Sequence, residues 1–112
     1  MGRPRKRCMI RGGPLSNVFK PKGIPAVDLE EVVLPLEGLE AMRLADIENM
    51  DHEAAAEKMH ISRQTFGRIL ADARKLVSEA LVMGKMIRIH GGSYVMPGLG
   101  RRGRRFGRRE DR

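Results

Sequence analysis

The sequence predicts a mainly α-helical fold: a three-helix helix-turn-helix domain with a short C-terminal β-hairpin and basic disordered tails. Two adjacent segments within residues 51–81 carry apolar residues at gaps of three and four, the spacing of one helix face, and a short turn separates them. A further helical pattern, residues 36–50, precedes them, and two β-prone runs follow. The length of 112 residues suits one domain with tails, and we place the boundaries at 1–25, 26–96 and 97–112.

Residues 1–25 are expected to form an irregular basic arm. Four prolines and four glycines interrupt them, so neither the helical nor the strand period persists. The run GRPRKR at residues 2–7 resembles the core of an AT-hook, in which an extended Arg-Pro segment lies in a narrow minor groove. Plain phosphate contact by a flexible arm is the favoured alternative. The candidate DNA-binding residues of the arm are Arg3, Arg5, Lys6 and Arg7.

A short strand and a supporting helix are predicted next. Val32, Val33 and Leu34 precede Pro35, and β-branched residues before a proline favour an extended backbone. The apolar residues of segment 36–50 then mark a broad helix face that packs behind the two following helices. That face comprises Leu39, Ala41, Met42, Leu44, Ala45 and Ile47.

The helix-turn-helix unit is predicted from two local features, and the first residue of its turn departs from the usual pattern. The first helix is expected over residues 51–59 and the turn over 60–62, with Ser62 as a good N-cap for the second helix. Ala56 is small enough to let the two helices cross closely. His60 opens the turn where Gly is usual, and His enters the left-handed backbone region more readily than most residues.

The first turns of the second helix form the candidate DNA-contacting surface. Phe66 and Ile69 are expected to face the core, so the polar residues around them point outward. Arg, Gln and Ser side chains suit base edges and phosphates in a major groove. Gly67 costs about 1 kcal/mol relative to Ala within a helix, and it would allow close approach of a backbone. The candidate residues are Ser62, Arg63, Gln64, Thr65, Gly67 and Arg68. The alternatives are an ordinary helical hairpin and a helix-turn-helix that binds protein.

A β-hairpin is predicted after Gly84, the expected C-cap of the second helix. The β-prone runs at 85–90 and 93–96 flank the Gly91-Gly92 pair, which favours a turn between them. This hairpin can pair with the strand near Val32–Leu34. Three roles remain open for it: a wing beside the DNA, a contact between two subunits, or a cover for the helical core.

Charge is distributed unevenly along the chain. The net charge is +8, but residues 1–22 carry +7, residues 23–84 carry −6 and residues 85–112 carry +7. Two strongly basic ends imply a polyanionic partner. The last twelve residues hold seven Arg in a Gly/Arg tail, which is expected to be disordered and to bind nucleic acid with little sequence choice. Its candidate DNA-binding residues are Arg101, Arg102, Arg104 and Arg105.

Other classes of function find little support in the sequence. The single cysteine suits a reducing cytoplasm. No apolar run approaches the ~20 residues of a membrane span, and no hydrophobic segment follows the basic N-terminus as in a secretory signal. Cys8 and the three histidines match no metal-ligand spacing, and neither a catalytic triad nor a phosphate loop occurs. We therefore expect a cytoplasmic, non-enzymatic protein with no cofactor, no metal and no membrane partner.

Two resemblances rest on these segments. Residues 50–81 are similar to the helix-turn-helix of region four of bacterial sigma factors, which contacts promoter DNA through its second helix. Residues 2–95 resemble a small family of uncharacterised prokaryotic proteins that are predicted to bind DNA through such a unit. The segments that carry this resemblance are GRPRK at 2–6, EEVVLPLEGLEAMRLAD at 30–46, ISRQTFGRIL at 61–70, ARKLVSEAL at 73–81 and GKMIRIHGGSY at 84–94. Members of that family often carry a cysteine pair near positions 7–11, where this chain has only Cys8.

Together these features predict a transcriptional regulator that binds double-stranded DNA. The helix starting at Ser62/Arg63 would contact bases in the major groove, and the arm and tail would contact phosphates. A homodimer is compatible with the small size and with the two half-sites that such regulators bind. The alternative is a non-enzymatic adaptor, in which the sigma-like unit contacts RNA polymerase or another protein and the tails hold DNA or RNA non-specifically.

Overall fold

Three α-helices and five short strands make up the fold in the part of the chain that the structure, a computed structural model, describes: residues 7–92 and the backbone of 94–95. The helices are α1 (Leu36–Met42), α2 (His52–Lys58) and α3 (Arg63–Met83). The strands are β1 (Cys8–Met9), β2 (Val18–Phe19), β3 (Glu31–Leu34), β4 (Met86–Ile89) and β5 (Tyr94–Val95). A 3₁₀ turn at Ala26–Asp28 and a π-helical turn at Arg43–Ile47 complete the order. The predicted mainly helical character is confirmed.

Local capping fixes the ends of α2 and α3. The side chains of Asp51 and Ser62 accept hydrogen bonds from backbone N–H groups three residues later, at 2.8 and 3.1 Å. His60 adopts the left-handed backbone with φ 59°, and Gly84 ends α3 with φ 70°. The N-cap at Ser62, the left-handed His60 and the C-cap at Gly84 are therefore confirmed.

The core forms around α3, which packs against α1, α2 and β3. Its buried side chains are Phe66, Leu70, Ala73 and Ala80. Phe66, Leu70 and Ala73 share one core cluster with buried residues from the rest of the fold: Leu34, Leu36, Ala41, Leu44, Ala55, Ala56, Met59 and Ile61. Phe66 is the largest fully buried side chain in the described residues. Within residues 7–92, no helix combines the length and the apolar character that a membrane span requires.

The N-terminal stretch that was expected to be irregular contributes to the fold. Cys8 and Ile10 are buried in the core. β1 pairs in parallel with β5, and β2 pairs antiparallel with β4. Isolated apolar residues among prolines and glycines have no period, so burial at these positions has no signal in the local sequence.

The predicted C-terminal hairpin is not formed. β4 is the central strand of a three-stranded sheet in the order β2-β4-β3, and β5 pairs with β1 instead. Because β2 and β3 occupy both edges of β4, its backbone groups are already paired and β5 must find another partner. The predicted pairing with the strand near Val32–Leu34 does occur, since β3 and β4 are parallel neighbours.

The supporting helix is shorter than the predicted range of 36–50. Its α-helical part ends at Met42, and the π-helical turn follows. Ile47, assigned to the apolar face, is 74% exposed, whereas Leu44 in the same turn is buried. A π-helical turn closes its hydrogen bonds five residues apart, which rotates the following side chains away from the α-helical register.

Candidate nucleic-acid interface

The first turns of α3 present a polar surface to solvent. Phe66 and Leu70, four residues apart, bury one side of the helix, and polar residues at neighbouring positions remain open to solvent. The exposed candidate residues are Ser62, Arg63, Gln64 and Arg68, and the half-buried ones are Thr65 and Gly67. All six predicted residues therefore keep at least partial solvent access at the start of α3.

The buried side of α3 packs against α2 and the turn between them. The ring centroids of Phe66 and His52 lie 5.3 Å apart in an edge-to-face arrangement, which fastens the start of α3 to the start of α2. In the turn, the N–H of Ile61 donates to the carbonyl of Ala56 at 3.1 Å. The two helices and their turn thus form one packed unit.

The side chains of Ser62 and Thr65 cap the start of α3. The Ser62 hydroxyl accepts from the Thr65 N–H at 3.1 Å and donates to Thr65 Oγ1 at 2.9 Å. The side chains of Arg63, Gln64 and Arg68, in contrast, make no hydrogen bond or ion pair with any described part of the chain. These three long side chains are free to contact a partner.

Gly67 lies on the same surface without a packing reason inside the protein. A Cβ added there would meet only His52 Nδ1, at 3.8 Å, which is an ordinary van der Waals contact. The helix therefore tolerates Ala at this position.

Charges further along α3 are neutralised by ion pairs. Arg74 binds Asp46 at 2.5 Å, and the hydrogen bond from this guanidinium lowers the pKa of Asp46. Lys85, just beyond the helix, binds Glu79 at 2.6 Å. Of the α3 cations, Arg63, Arg68 and Lys75 have no ion pair among the described residues, and the first two lie on its first turns.

The N-terminal arm begins beside the turn between α2 and α3. The N–H of Met9 in β1 donates to the carbonyl of Met59 at 3.0 Å. Arg7, two residues before Met9, is exposed. Of the predicted arm and tail residues, Arg7 alone falls within the described range. The candidates outside it are Arg3, Arg5, Lys6, Arg101, Arg102, Arg104 and Arg105.

No group of three or more His, Cys, Asp or Glu side chains within the described residues is arranged to hold a metal ion. Cys8 lies buried in the core, and His52 packs against Phe66.

Comparisons with known proteins place similar sequences in several organisms. A family model described as "Protein of unknown function DUF134" matches residues 1–97. UPF0251 protein TTE1845 of Caldanaerobacter subterraneus is 48% identical over 103 residues, covering 92% of this chain and 87% of that protein. A UPF0251 protein of Methanococcus vannielii is 54% identical over 93 residues, covering 83% and 72% of the two chains. UPF0251 protein Rru_A1194 of Rhodospirillum rubrum is 51% identical over 92 residues, covering 82% and 64%. No solved structure matches the chain significantly.

Proposed function

The chain belongs to DUF134, an uncharacterised prokaryotic family whose curated members are named UPF0251 proteins, and we propose that it is a sequence-selective DNA-binding protein and transcriptional regulator. In this proposal α2, the turn and α3 act as a helix-turn-helix. The observation that carries it is that Arg63, Gln64 and Arg68 are exposed on the first turns of α3, and their side chains have no partner within residues 7–92. The other side of this helix is buried through Phe66.

The chemistry of these side chains suits the edges of base pairs in a major groove. A guanidinium donates two hydrogen bonds to O6 and N7 of guanine, and a Gln amide pairs with N6 and N7 of adenine. Arg63, Gln64 and Arg68 would contact bases in this way. The positive end of the α3 dipole adds an attraction for a neighbouring phosphate.

The basic ends would add affinity that depends on salt. The Met9–Met59 hydrogen bond places β1 beside the turn between α2 and α3. The basic segment that precedes β1 therefore leaves the fold near the proposed recognition helix. The cations of arm and tail would contact phosphates or an adjacent minor groove, and counterion release makes such binding steeply dependent on ionic strength.

Selection from a random duplex library tests the proposal. The full chain is incubated with the library at about 150 mM salt, close to physiological ionic strength, so that non-specific phosphate contacts are weakened. Enrichment of a defined motif is the expected result. A palindromic motif would further indicate a homodimer, because two-fold symmetric proteins bind two half-sites.

Arg68→Ala is expected to weaken binding to the selected site by roughly 1–3 kcal/mol, the cost of losing one bidentate base contact. Fluorescence anisotropy on the selected and on random duplexes measures it. Lys75→Ala is the matched control: this exposed residue lies two turns further along α3, and its loss should weaken both duplexes alike. Unchanged affinity of Arg68→Ala for the selected site would contradict the assignment.

Gly67→Ala is expected to stabilise the fold and to weaken specific DNA binding. The added Cβ meets no close atom inside the protein, so Ala should raise the unfolding free energy by up to about 1 kcal/mol. The same methyl group would crowd a DNA backbone and weaken specific binding by about 1–3 kcal/mol. Urea unfolding and anisotropy measure the two effects. A stabilised variant with full affinity would show that Gly67 is not at the interface.

The acidic middle of the chain favours a second candidate, a non-enzymatic adaptor. Residues 23–84 carry a charge of −6, which opposes tight DNA binding by the folded domain. In this case the sigma-like unit would contact RNA polymerase or another protein, and the tails would hold nucleic acid. The selection would then enrich no motif, and random duplex and single-stranded RNA would bind equally well.

A further inference from the structure

A cavity of about 230 Å³ lies between β1, α2 and the π-helical turn. The apolar part of its lining comes from Met9, Ile10, Leu44 and Met50. Of these, Ile10 and Leu44 belong to the buried core, whereas Met9 and Met50 are half-buried. Core residues therefore form part of the cavity wall, and this wall offers apolar surface to a ligand.

The acidic side chains of the cavity are already satisfied. Glu40 accepts from Arg43 Nη2 at 2.7 Å and from Arg43 Nε at 3.0 Å, and it also accepts the Arg11 N–H at 3.3 Å. Arg43 pairs with Glu48 as well. The hydrogen bond to Glu40 raises the pKa of Arg43, so this group stays charged. Glu40, Arg43 and Glu48 thus form an internal ion-pair network.

Two cations at the edge of the cavity are not neutralised in this way. The side chain of Lys58, the last residue of α2, makes no hydrogen bond or ion pair within the described part of the chain. The guanidinium of Arg11 makes one long contact among the described residues, at 3.5 Å to Glu48, and this side chain is 70% exposed. Three cations and two carboxylates line the cavity, so its net charge is +1. The charged groups that lack a close counter-ion beside the apolar lining, Lys58 and Arg11, are therefore both positive.

The backbone beside the cavity is also unusual. Arg43 and Leu44, which line it, begin the π-helical turn, and the Met50 N–H donates back to the Leu44 carbonyl at 3.0 Å. π-helical turns are rare and occur frequently at functional sites. Here the turn ends the α-helical register of α1 at the point where the cavity opens.

We propose that this cavity binds a small organic anion, a carboxylate with a short apolar body. The carboxylate would pair with Lys58 and Arg11, which supply ammonium and guanidinium donors. The apolar body would lie against Met9, Leu44 and Met50. A cavity of about 230 Å³ limits the ligand to a small molecule.

The position of the site implies an effector role. The ligand would touch β1, which carries the arm, and α2, which packs beside α3, and the Met9–Met59 hydrogen bond already joins these parts. Occupancy is therefore expected to change DNA affinity. That consequence rests on the proposed function, whereas binding of the anion does not.

An NMR titration of the full chain without DNA tests the site. The probes are butyrate, hexanoate and benzoate, each compared at constant ionic strength with its neutral amide. At least one carboxylate is expected to shift the backbone amides of Ile10, Arg11, Leu44 and Lys58 in a saturable manner, at least tenfold more tightly than its amide. The proposal is overturned if no carboxylate does so, or if acid and amide bind equally.

Variants of the two edge cations sharpen the test. Arg11→Gln and Lys58→Gln change exposed side chains, so both variants should keep the thermal unfolding midpoint of the parent chain. Each is expected to weaken the best carboxylate several-fold, and the double variant to abolish saturable binding. Lys75→Gln, an exposed lysine outside the cavity, is the matched control with unchanged affinity. A folded double variant with the parent's affinity would refute the assigned site. Because DNA is absent, failure here leaves the proposed function untouched.

Discussion

Phe66→Ala is expected to lower the free energy of unfolding by about 3–5 kcal/mol, the cost of deleting a buried aromatic ring from a core. The side chain has 0% exposure and is the largest fully buried one in the described residues. Its ring also makes the edge-to-face contact with His52 that links α3 to α2. Small domains are stable by only about 5–15 kcal/mol, so much of the stability would be lost.

Urea unfolding followed by far-UV circular dichroism measures this loss, since the helical signal reports on α3. Leu81→Ala on the same helix is the matched control. This side chain is 75% exposed, and its truncation is expected to change stability by no more than about 0.5 kcal/mol, as for most surface substitutions. If Phe66→Ala cost no more than Leu81→Ala, the assigned centre of the core would be wrong.

Gly92→Ala is expected to destabilise the fold by about 2–4 kcal/mol, through a left-handed backbone and an overpacked contact. Gly92 has φ 109°, which L-residues rarely adopt. A Cβ there would overlap Glu37 Oε1 and lie 3.0 Å from Glu37 Cδ and 3.2 Å from Pro35 Cβ. Glu37 is only 1% exposed, so its carboxyl group cannot swing into solvent to relieve the overlap.

Gly84→Ala separates the two causes. Gly84 has φ 70°, but a Cβ there would meet no atom within 4 Å, so this variant carries the backbone strain without the collision. It is expected to cost about 1 kcal/mol, as for Ala in place of a C-cap glycine. Both variants are compared by the same urea unfolding. Equal losses would mean that the contact between Gly92 and Glu37 does not constrain the fold.

Much of the candidate interface was predictable from the sequence. Ser62 as the N-cap, left-handed His60 and the outward positions of Arg63, Gln64 and Arg68 all agree with the structure. Capping bonds and helix periodicity connect residues three or four positions apart, so a short stretch contains the information that sets them. The engagement of Ser62 with Thr65 follows the same local rule.

The surroundings of that interface were not predictable in the same way. Lys58 and Arg11 have no distinguishing signal in the local sequence, because the cavity they border is built from residues of four separate segments. The place where the arm begins depends on the Met9–Met59 bond, which joins residues far apart in the chain. No local pattern in either stretch indicates the other.

The sequence by itself determined the helical elements, their caps and the basic ends, since these depend on neighbouring residues and on composition. Only the tertiary structure decided the partners of the strands, the burial of Cys8 and Ile10, and the π-helical turn after Met42. The Gly91-Gly92 pair illustrates the difference: it favours a hairpin locally, yet both edges of β4 are taken by β2 and β3. Buried backbone groups must be hydrogen-bonded, so β5 pairs with β1, whose edge the fold leaves free. These two strands come from opposite ends of the described chain.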